Sequence, residues 1–369
     1  MKIVRLNDTT QSEIIALLTT TLRSGGLVIF PTETTYGAGV DATNMLAVQK
    51  LLQYKSRREG KPLSIAVANQ AMAEQYALLN EQAQTLYTQF LPGPVTVVSH
   101  ARKTLAPGVA SEFGTVGVRI PDYPFLLEFL AQYQKPMTAT SANASGKKRP
   151  YSIEDVFAGL SEKQKSLIDL VIDAGQLPEN PPSTVIDTTL STPVTLRKGT
   201  VVIEQAETDH YQLISKSSEE TARIAGTLLL KHWDAVHKTG IVIGLDGPLG
   251  AGKTIFAKGI AEFLKIDEDI TSPTYTYMEE YEFRRHMTTG MFYHLDLWKI
   301  DSPEILERLS LETVLNPDAV IVIEWWSQVA DYLKPLIKAH AMPYIHVQLA
   351  ETESTNDTSR LISIQDTDA

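Results

Sequence analysis

The sequence predicts an α/β protein of two domains, and three observations carry that reading. The chain has 369 residues, room for two domains at about 100–200 residues each. Its 43% hydrophobic and 21% charged content is ordinary globular composition, which excludes collagen-like, coiled-coil and disordered classes. Short apolar runs alternate along it with segments of helical spacing. There are no cysteines, so disulfides, thiolate nucleophiles and cysteine-based zinc or iron–sulfur sites are excluded. Met1–Asp8 has no apolar core of signal-peptide length, and no apolar run reaches the roughly 18–20 residues of a membrane span. A cytoplasmic protein with no membrane partner is expected.

In order along the first half, Thr10-Gln11-Ser12-Glu13 is a capping box, and Ile14, Ile15, Leu17, Leu18 and Leu22 follow at helical spacing. Gly25-Gly26 ends that helix, and Leu27–Phe30 reads as a buried strand. A helix from about Asn44 turns Leu46, Val48, Leu51 and Leu52 inward and delivers Lys55 and Arg57 at its end. Further strands are expected at 95–99, 116–120, 137–140, 170–173, 184–188 and 194–198, with helices at 71–90, 124–133 and 152–159. The mixture is α/β or α+β.

Thr200–Ser215 is polar and holds few core residues, so it reads as a linker with the domain boundary at 204/205. A second capping box, Ser217–Glu220, opens a helix running to about Trp233. Then come a strand (241–246), a glycine-rich turn, a helix (254–264), a strand (291–296), a helix (303–309), a strand (319–324), a helix (327–338) and a strand (344–349). Such alternation implies a mainly parallel sheet over 205–350. Residues 351–369, rich in Asp, Glu, Thr and Ser, read as a disordered acidic tail.

Charge separates the halves. The formal net charge of −11 divides into +2 for residues 1–200 and −13 for residues 201–369. The acidic second half is a poor surface for a polyanion such as nucleic acid.

The strongest chemical signal lies in that half. Gly247-Pro248-Leu249-Gly250-Ala251-Gly252-Lys253-Thr254 matches G-x-x-x-x-G-K-[ST] between an apolar strand and an amphipathic helix. Glycines let the backbone wrap a phosphate with amides and the helix N-terminus facing it. Lys253 is expected on the β- and γ-phosphates and Thr254 on Mg²⁺. Asp296 and Glu324, each ending an apolar strand, are candidates for the second metal ligand, and Trp325-Trp326 could stack on a base or be core.

Residues 211–349 resemble the TsaE-type P-loop ATPases, which assist threonylcarbamoylation of tRNA. The resemblance rests on the P-loop, Thr271–Thr276, His294-Leu295-Asp296-Leu297-Trp298 and Ile323-Glu324-Trp325. It implies that Asp296 and Glu324 help hold Mg²⁺ and that Trp325 lies by the nucleotide. The family often shows D-x-Y-R where this chain has Asp296, Trp298 and Lys299.

Residues 1–200 hold one histidine, His100, and no metal or hydrolase pattern. They do hold cations near element ends (Lys55, Arg57, Arg119, Arg197) and hydroxyls beside turns (Thr32, Thr34, Thr35, Thr115, Ser141, Ser183). Such a set binds phosphates and a carboxylate without supplying a strong base. In order, Pro31–Gly37, Lys55-Ser56-Arg57, Pro62-Leu63-Ser64, Gly93–Thr96, Val118–Pro121, Thr140–Asn143 with Ser145-Gly146, Ser183–Val185 and Leu196–Gly199 resemble the YrdC-like threonylcarbamoyl-AMP synthases. That likeness implies a twisted open α/β sheet over 1–204. It also implies a reaction that takes L-threonine, bicarbonate and ATP to threonylcarbamoyl-AMP and pyrophosphate. Lys55, Arg57, Arg119 and Arg197 would hold ATP with Thr115 and Asn143, and Thr34, Ser141 and Ser183 would contact threonine. The family often has Asn and His where this chain has Lys61 and Ala66. Lys147-Lys148-Arg149 reads as a solvated loop, with contact to phosphates or tRNA the alternative.

Together the two likenesses imply a bifunctional chain using ATP and Mg²⁺, whose partner is a TsaB/TsaD-type transferase complex and whose link to tRNA is indirect. Two other readings stay open from sequence: an RNA-binding module joined to an ATPase switch, and a C-terminal small-molecule kinase.

Overall fold

In the computed structural model the first helix, Gln11–Arg23, starts where its capping pattern places it. Thr10 donates to the Glu13 carboxylate through its N–H (3.2 Å) and its hydroxyl (2.6 Å). Ile14, Ile15, Leu18 and Leu22 are buried on one face of it. The structure describes residues 1–55, 63–144, 148–202, 210–273, 276–286, 288–300, 303–352 and 359–367. The chain divides into two units, Met1–Thr189 with Pro193–Gln205, and Leu190–Thr192 with Ala206–Ala369. The expected boundary at 204/205 falls outside the described residues, as do Arg57, Lys61, Ser145 and Gly146.

The first unit is built on two sheets. The five-stranded sheet runs in the order Lys2–Arg5, Ile168–Asp173, Leu27–Phe30, Gly37–Gly39, Thr140–Ser141. Its first three strands are parallel and its last two pairings antiparallel. The second sheet runs Val194–Arg197, Thr184–Asp187, Val95–Ala101, Thr115–Arg119, Ser64–Ala66, Met137–Thr138, with Ala77–Leu78 added beside Val95–Ala101. Leu27, Ile29, Val48, Leu51, Ile65, Val97, Val118 and Ile186 share one apolar core. The expected helix over 71–90 is instead two helices, Gln70–Ala73 and Glu81–Phe90, with Ala77–Leu78 between them. Two asparagine caps explain the break: the Asn69 side chain accepts from Met72 N–H and the Asn80 side chain from Ala83 N–H, both at 2.9 Å.

The second unit holds one seven-stranded sheet in the order His210–Ser215, Arg360–Thr367, Tyr344–Glu351, Ile241–Asp246, Ala319–Glu324, Thr288–Asp296, Met278–Arg285. The four strands from Tyr344–Glu351 to Thr288–Asp296 are parallel, and antiparallel strands extend both edges. Two expectations are corrected here. The supposed tail contributes Arg360–Thr367, in which Ile362 and Ile364 are fully buried. The supposed linker contributes His210–Ser215, which pairs with that strand along its whole length. Two apolar residues at period two, set among polar ones, suffice once both neighbouring strands supply backbone partners. The edge strand Met278–Arg285 gave no apolar run because it carries Glu279, Glu280, Glu282 and Arg284, as edges do.

Candidate nucleotide sites

The second-unit site lies at the C-terminal ends of three adjacent parallel strands, where open α/β sheets bind ligands. Asp246 ends Ile241–Asp246, Glu324 ends Ala319–Glu324, and Asp296 ends Thr288–Asp296 as the register partner of Glu324. The loop Gly247–Gly252 leads from the first of these into the helix Lys253–Leu264. Gly247 (φ +145°) admits no side chain, because a Cβ there would lie 2.3 Å from the Leu349 carbonyl oxygen. Gly250 and Gly252 take left-handed φ of +80° and +103°, which turns the loop back on itself.

Lys253, 5% exposed, donates through Nζ to the carbonyls of Gly247 (2.8 Å) and Pro248 (3.0 Å) and lies 4.0 Å above the Trp325 ring. Burial lowers its pKa below the ordinary lysine range, although Glu324, Asp296 and Asp246 act to raise it. Trp325 itself is held in a left-handed turn (φ +63°), while Trp326 packs into the core. Thr254 Oγ1 donates to Glu324 Oε1 at 2.9 Å, and His294 Nε2 reaches the same oxygen at 3.0 Å. Ser272 Oγ donates to Asp296 Oδ2 at 2.5 Å. Burial would raise the Asp246 carboxyl, but His346, the Ser327 hydroxyl and the Ser327 N–H outweigh it and hold the group below the usual carboxylate range. A hydroxyl and two carboxylates are hard oxygen donors, few in number, and fit Mg²⁺ bound mainly through water and phosphate.

In the first unit, Lys55 ends the helix Met45–Lys55 and donates to the backbone carbonyls of Ser141 and Asn143, both at 2.8 Å. Burial pulls its pKa down to about 8. Those two contacts tie the helix end to the Thr140–Ser141 strand and the turn after it. Arg197 donates from Nε and Nη2 to the Ser183 carbonyl (3.1 and 2.9 Å) and from Nη2 to its hydroxyl (2.8 Å). Ser183, buried, also lies 2.9 Å from the Thr96 hydroxyl. Desolvation, and then the charges of Arg119 and Arg149, lower the Arg197 pKa to about 10. Arg197, exposed at the end of its strand, thus stands in a field of like charge, which favours a bound anion.

Arg119 ends Thr115–Arg119 and forms an ion pair with Glu33, their side chains 10% and 14% exposed. Arg119 Nε and Glu33 Oε2 are both buried without a partner. Thr34 is buried, its hydroxyl 3.1 Å from that of Thr32. Ala66 is the register partner of Arg119.

The structure thus brings Lys55 to Ser141 and Asn143, and Arg197 to Ser183. Thr115 is not among them: it starts the strand that Arg119 ends, about 13 Å away at 3.3 Å per residue, and bonds Ser111 (2.7 Å). Sequence reasoning passed over Glu33, though it stands inside the Pro31–Gly37 run, whereas Lys148 and Arg149 are exposed and outside any helix or strand, as a solvated loop would have them. It also missed the His294 contact to Glu324, because a histidine inside an apolar strand reads as core.

Two family models match the chain: one described as "Telomere recombination" over residues 20–199 and one described as "Threonylcarbamoyl adenosine biosynthesis protein TsaE" over residues 215–361. A putative threonylcarbamoyl-AMP synthase of Methanocaldococcus jannaschii is 33% identical over 205 residues, covering 56% of this chain and 95% of that protein. The threonylcarbamoyl-AMP synthases of Pyrococcus abyssi and Bacillus subtilis are 36% and 35% identical and align with 50% and 52% of this chain. This chain spans only about half of those two, 54% and 55% of their length. Among solved structures, a Sua5 variant of P. abyssi matches the fold with a TM-score of 0.51 at 23% identity, over 94% of this chain and 98% of that one. Sua5 of P. abyssi complexed with L-threonine matches with a TM-score of 0.50 at 22% identity, over 87% and 91%.

Proposed function

Since the chain belongs to the threonylcarbamoyl-AMP synthase family and carries a TsaE-type domain behind that part, we propose that it performs two nucleotide reactions in one pathway. The first unit joins L-threonine, bicarbonate and ATP into threonylcarbamoyl-AMP, releasing pyrophosphate and water. The threonine amine and CO₂ give a carbamate, a carboxylate oxygen of which attacks the α-phosphorus of ATP as the bond to pyrophosphate breaks. That step asks for alignment of two anions and neutralisation of charge rather than for a strong base.

The observation that carries the reading is Arg197 held on the carbonyl and hydroxyl of the buried Ser183. Arg119, Arg197, Lys55 and Arg57 hold the triphosphate, with Asn143 beside Lys55. Thr34, Ser141 and Ser183 take the threonine. Arg119 exchanges its Glu33 partner for phosphate when ATP enters.

The second unit hydrolyses ATP. The loop Gly247–Gly252 cradles the phosphates, Lys253 leaves its carbonyl partners for the β- and γ-phosphates, and Trp325 lies along the nucleotide. Thr254, Asp296 and Glu324 would hold Mg²⁺, which supplies charge neutralisation on the β- and γ-oxygens. Hydrolysis there supports a TsaB/TsaD-type transferase complex that receives threonylcarbamoyl-AMP and modifies tRNA, so contact of this chain with tRNA is indirect.

Release of pyrophosphate that requires threonine and bicarbonate together tests the first activity. Phosphate release that needs neither, and that Lys253→Ala removes, tests the second. Pyrophosphate release indifferent to threonine would overturn the assignment.

A further inference from the structure

The strand Arg360–Thr367 begins with a side chain that reaches the phosphate loop. Arg360 stands opposite Ser215 on one neighbouring strand and Glu351 on the other, and its guanidinium reaches the carbonyls of the loop. Nε donates to the Ala251 carbonyl at 3.1 Å, and Nη2 reaches the Gly250 carbonyl at 3.5 Å, the limit of a hydrogen bond. In a trans peptide the C=O and the following N–H point in opposite directions. A guanidinium that fixes the Ala251 carbonyl therefore aims the Gly252 N–H to the other side, and the Gly250 contact restrains the peptide before it.

The need for such restraint is local. Gly250 and Gly252 are the residues with the freest backbones, and both are in left-handed conformations. The Ala251 N–H closes a turn on the Pro248 carbonyl (3.2 Å), so the loop is held from within at that amide and from without at the two carbonyls. A planar fork with several donors suits two adjacent carbonyls, whereas a lysine ammonium offers a single point.

We propose that Arg360 is a positioning residue for the second nucleotide site, presetting the loop so that its amides meet the β-phosphate without rearrangement. The proposal rests on the reading of this loop as a nucleotide site. An ordered cradle lowers the entropic cost of binding, so the effect belongs to affinity and not to the hydrolytic step.

The test uses the full chain and MgADP. Calorimetric titration of the wild-type protein defines the loop's share of binding as the component that Lys253→Ala abolishes. Arg360→Gln should raise the Kd of that component about tenfold, the loss of charge-assisted hydrogen bonds. Arg360→Lys, which keeps stem and charge, should fall between wild type and Arg360→Gln, and it answers the question if the glutamine variant fails to fold. In phosphate release from MgATP, KM should rise with kcat within about twofold, a split that general loosening of the sheet would not give. Binding within about twofold of wild type in folded Arg360→Gln and Arg360→Lys would overturn the proposal, as would a fall in kcat at unchanged KM. A wild-type protein with no Lys253-dependent MgADP binding would overturn both this inference and the nucleotide reading on which it rests.

Discussion

Lys55 offers the sharpest test of the first site. Burial brings its pKa from the ordinary 10.5 down to about 8 in the ligand-free protein. Near pH 8 the ammonium is therefore about half protonated. A polyphosphate bound beside it favours the charged form and returns the pKa toward its ordinary value. Binding of ATP at about pH 8 should then take up about half a proton at this residue, and almost none at about pH 6.5, where Lys55 is already charged. Above pH 8 affinity should fall by about tenfold per pH unit. The linkage also fixes the sign for stability. Because the folded state disfavours the charged lysine, this residue weakens the fold fully below about pH 8, and the penalty fades as pH rises toward 10.5. ATP binding alone is the right observable, since the amine of threonine titrates in the same range. Titration calorimetry in two buffers of different ionisation enthalpy measures the uptake, in a chain carrying Lys253→Ala so that the second site is silent. An affinity independent of pH from about 7 to 9, with no proton uptake at pH 8, would refute the placement of Lys55 on the nucleotide. Lys55→Ala should erase whatever uptake is seen.

Arg197→Ala should lower threonine-dependent pyrophosphate release at least about tenfold. Arg119→Ala should do the same and is best made together with Glu33→Gln, because a buried carboxylate left without its partner costs about 3–5 kcal/mol and confuses folding with function. Asp296→Asn and Glu324→Gln should each shift the Mg²⁺ dependence of phosphate release to higher concentration and lower its rate about tenfold or more; unchanged Mg²⁺ titrations would leave both as ordinary strand-end acids. Gly259→Ala should destabilise the second unit by about 1–2 kcal/mol despite the better helix propensity of alanine, since its Cβ would lie 2.5 Å from Ala222 Cα; a raised thermal midpoint would contradict that packing. Lys253→Ala should abolish phosphate release yet leave pyrophosphate release within about twofold, because each site draws its residues from its own unit.

What the sequence disclosed follows from where the free energy lies. Ile241–Asp246 and Ala319–Glu324 are buried along their whole length, so their apolar runs were plain, and the glycine spacing between strand and helix was fixed by backbone conformations few other residues adopt. The edge and near-edge strands were hidden because they are held largely by backbone pairing, which leaves no residue pattern: Arg360–Thr367 shows only Ile362 and Ile364 as fully buried apolar residues. The cations of the first site were legible by type and order, but not their partners. Glu33 lies 86 residues before Arg119, so their pairing exists only in the folded chain. Arg360 was lost for the same reason, since its role exists only because the terminal strand folds back beside the phosphate loop.

The central claim is that the first unit adenylates a threonine-derived carbamate. Purified full-length protein incubated with L-threonine, ¹³C-labelled bicarbonate, ATP and Mg²⁺ is read by mass spectrometry for threonylcarbamoyl-AMP. The account predicts a product carrying one ¹³C, absent when threonine is omitted and reduced at least about tenfold by Arg197→Ala. ATP consumption with no labelled adenylate, in a protein that is folded and binds ATP, would contradict it.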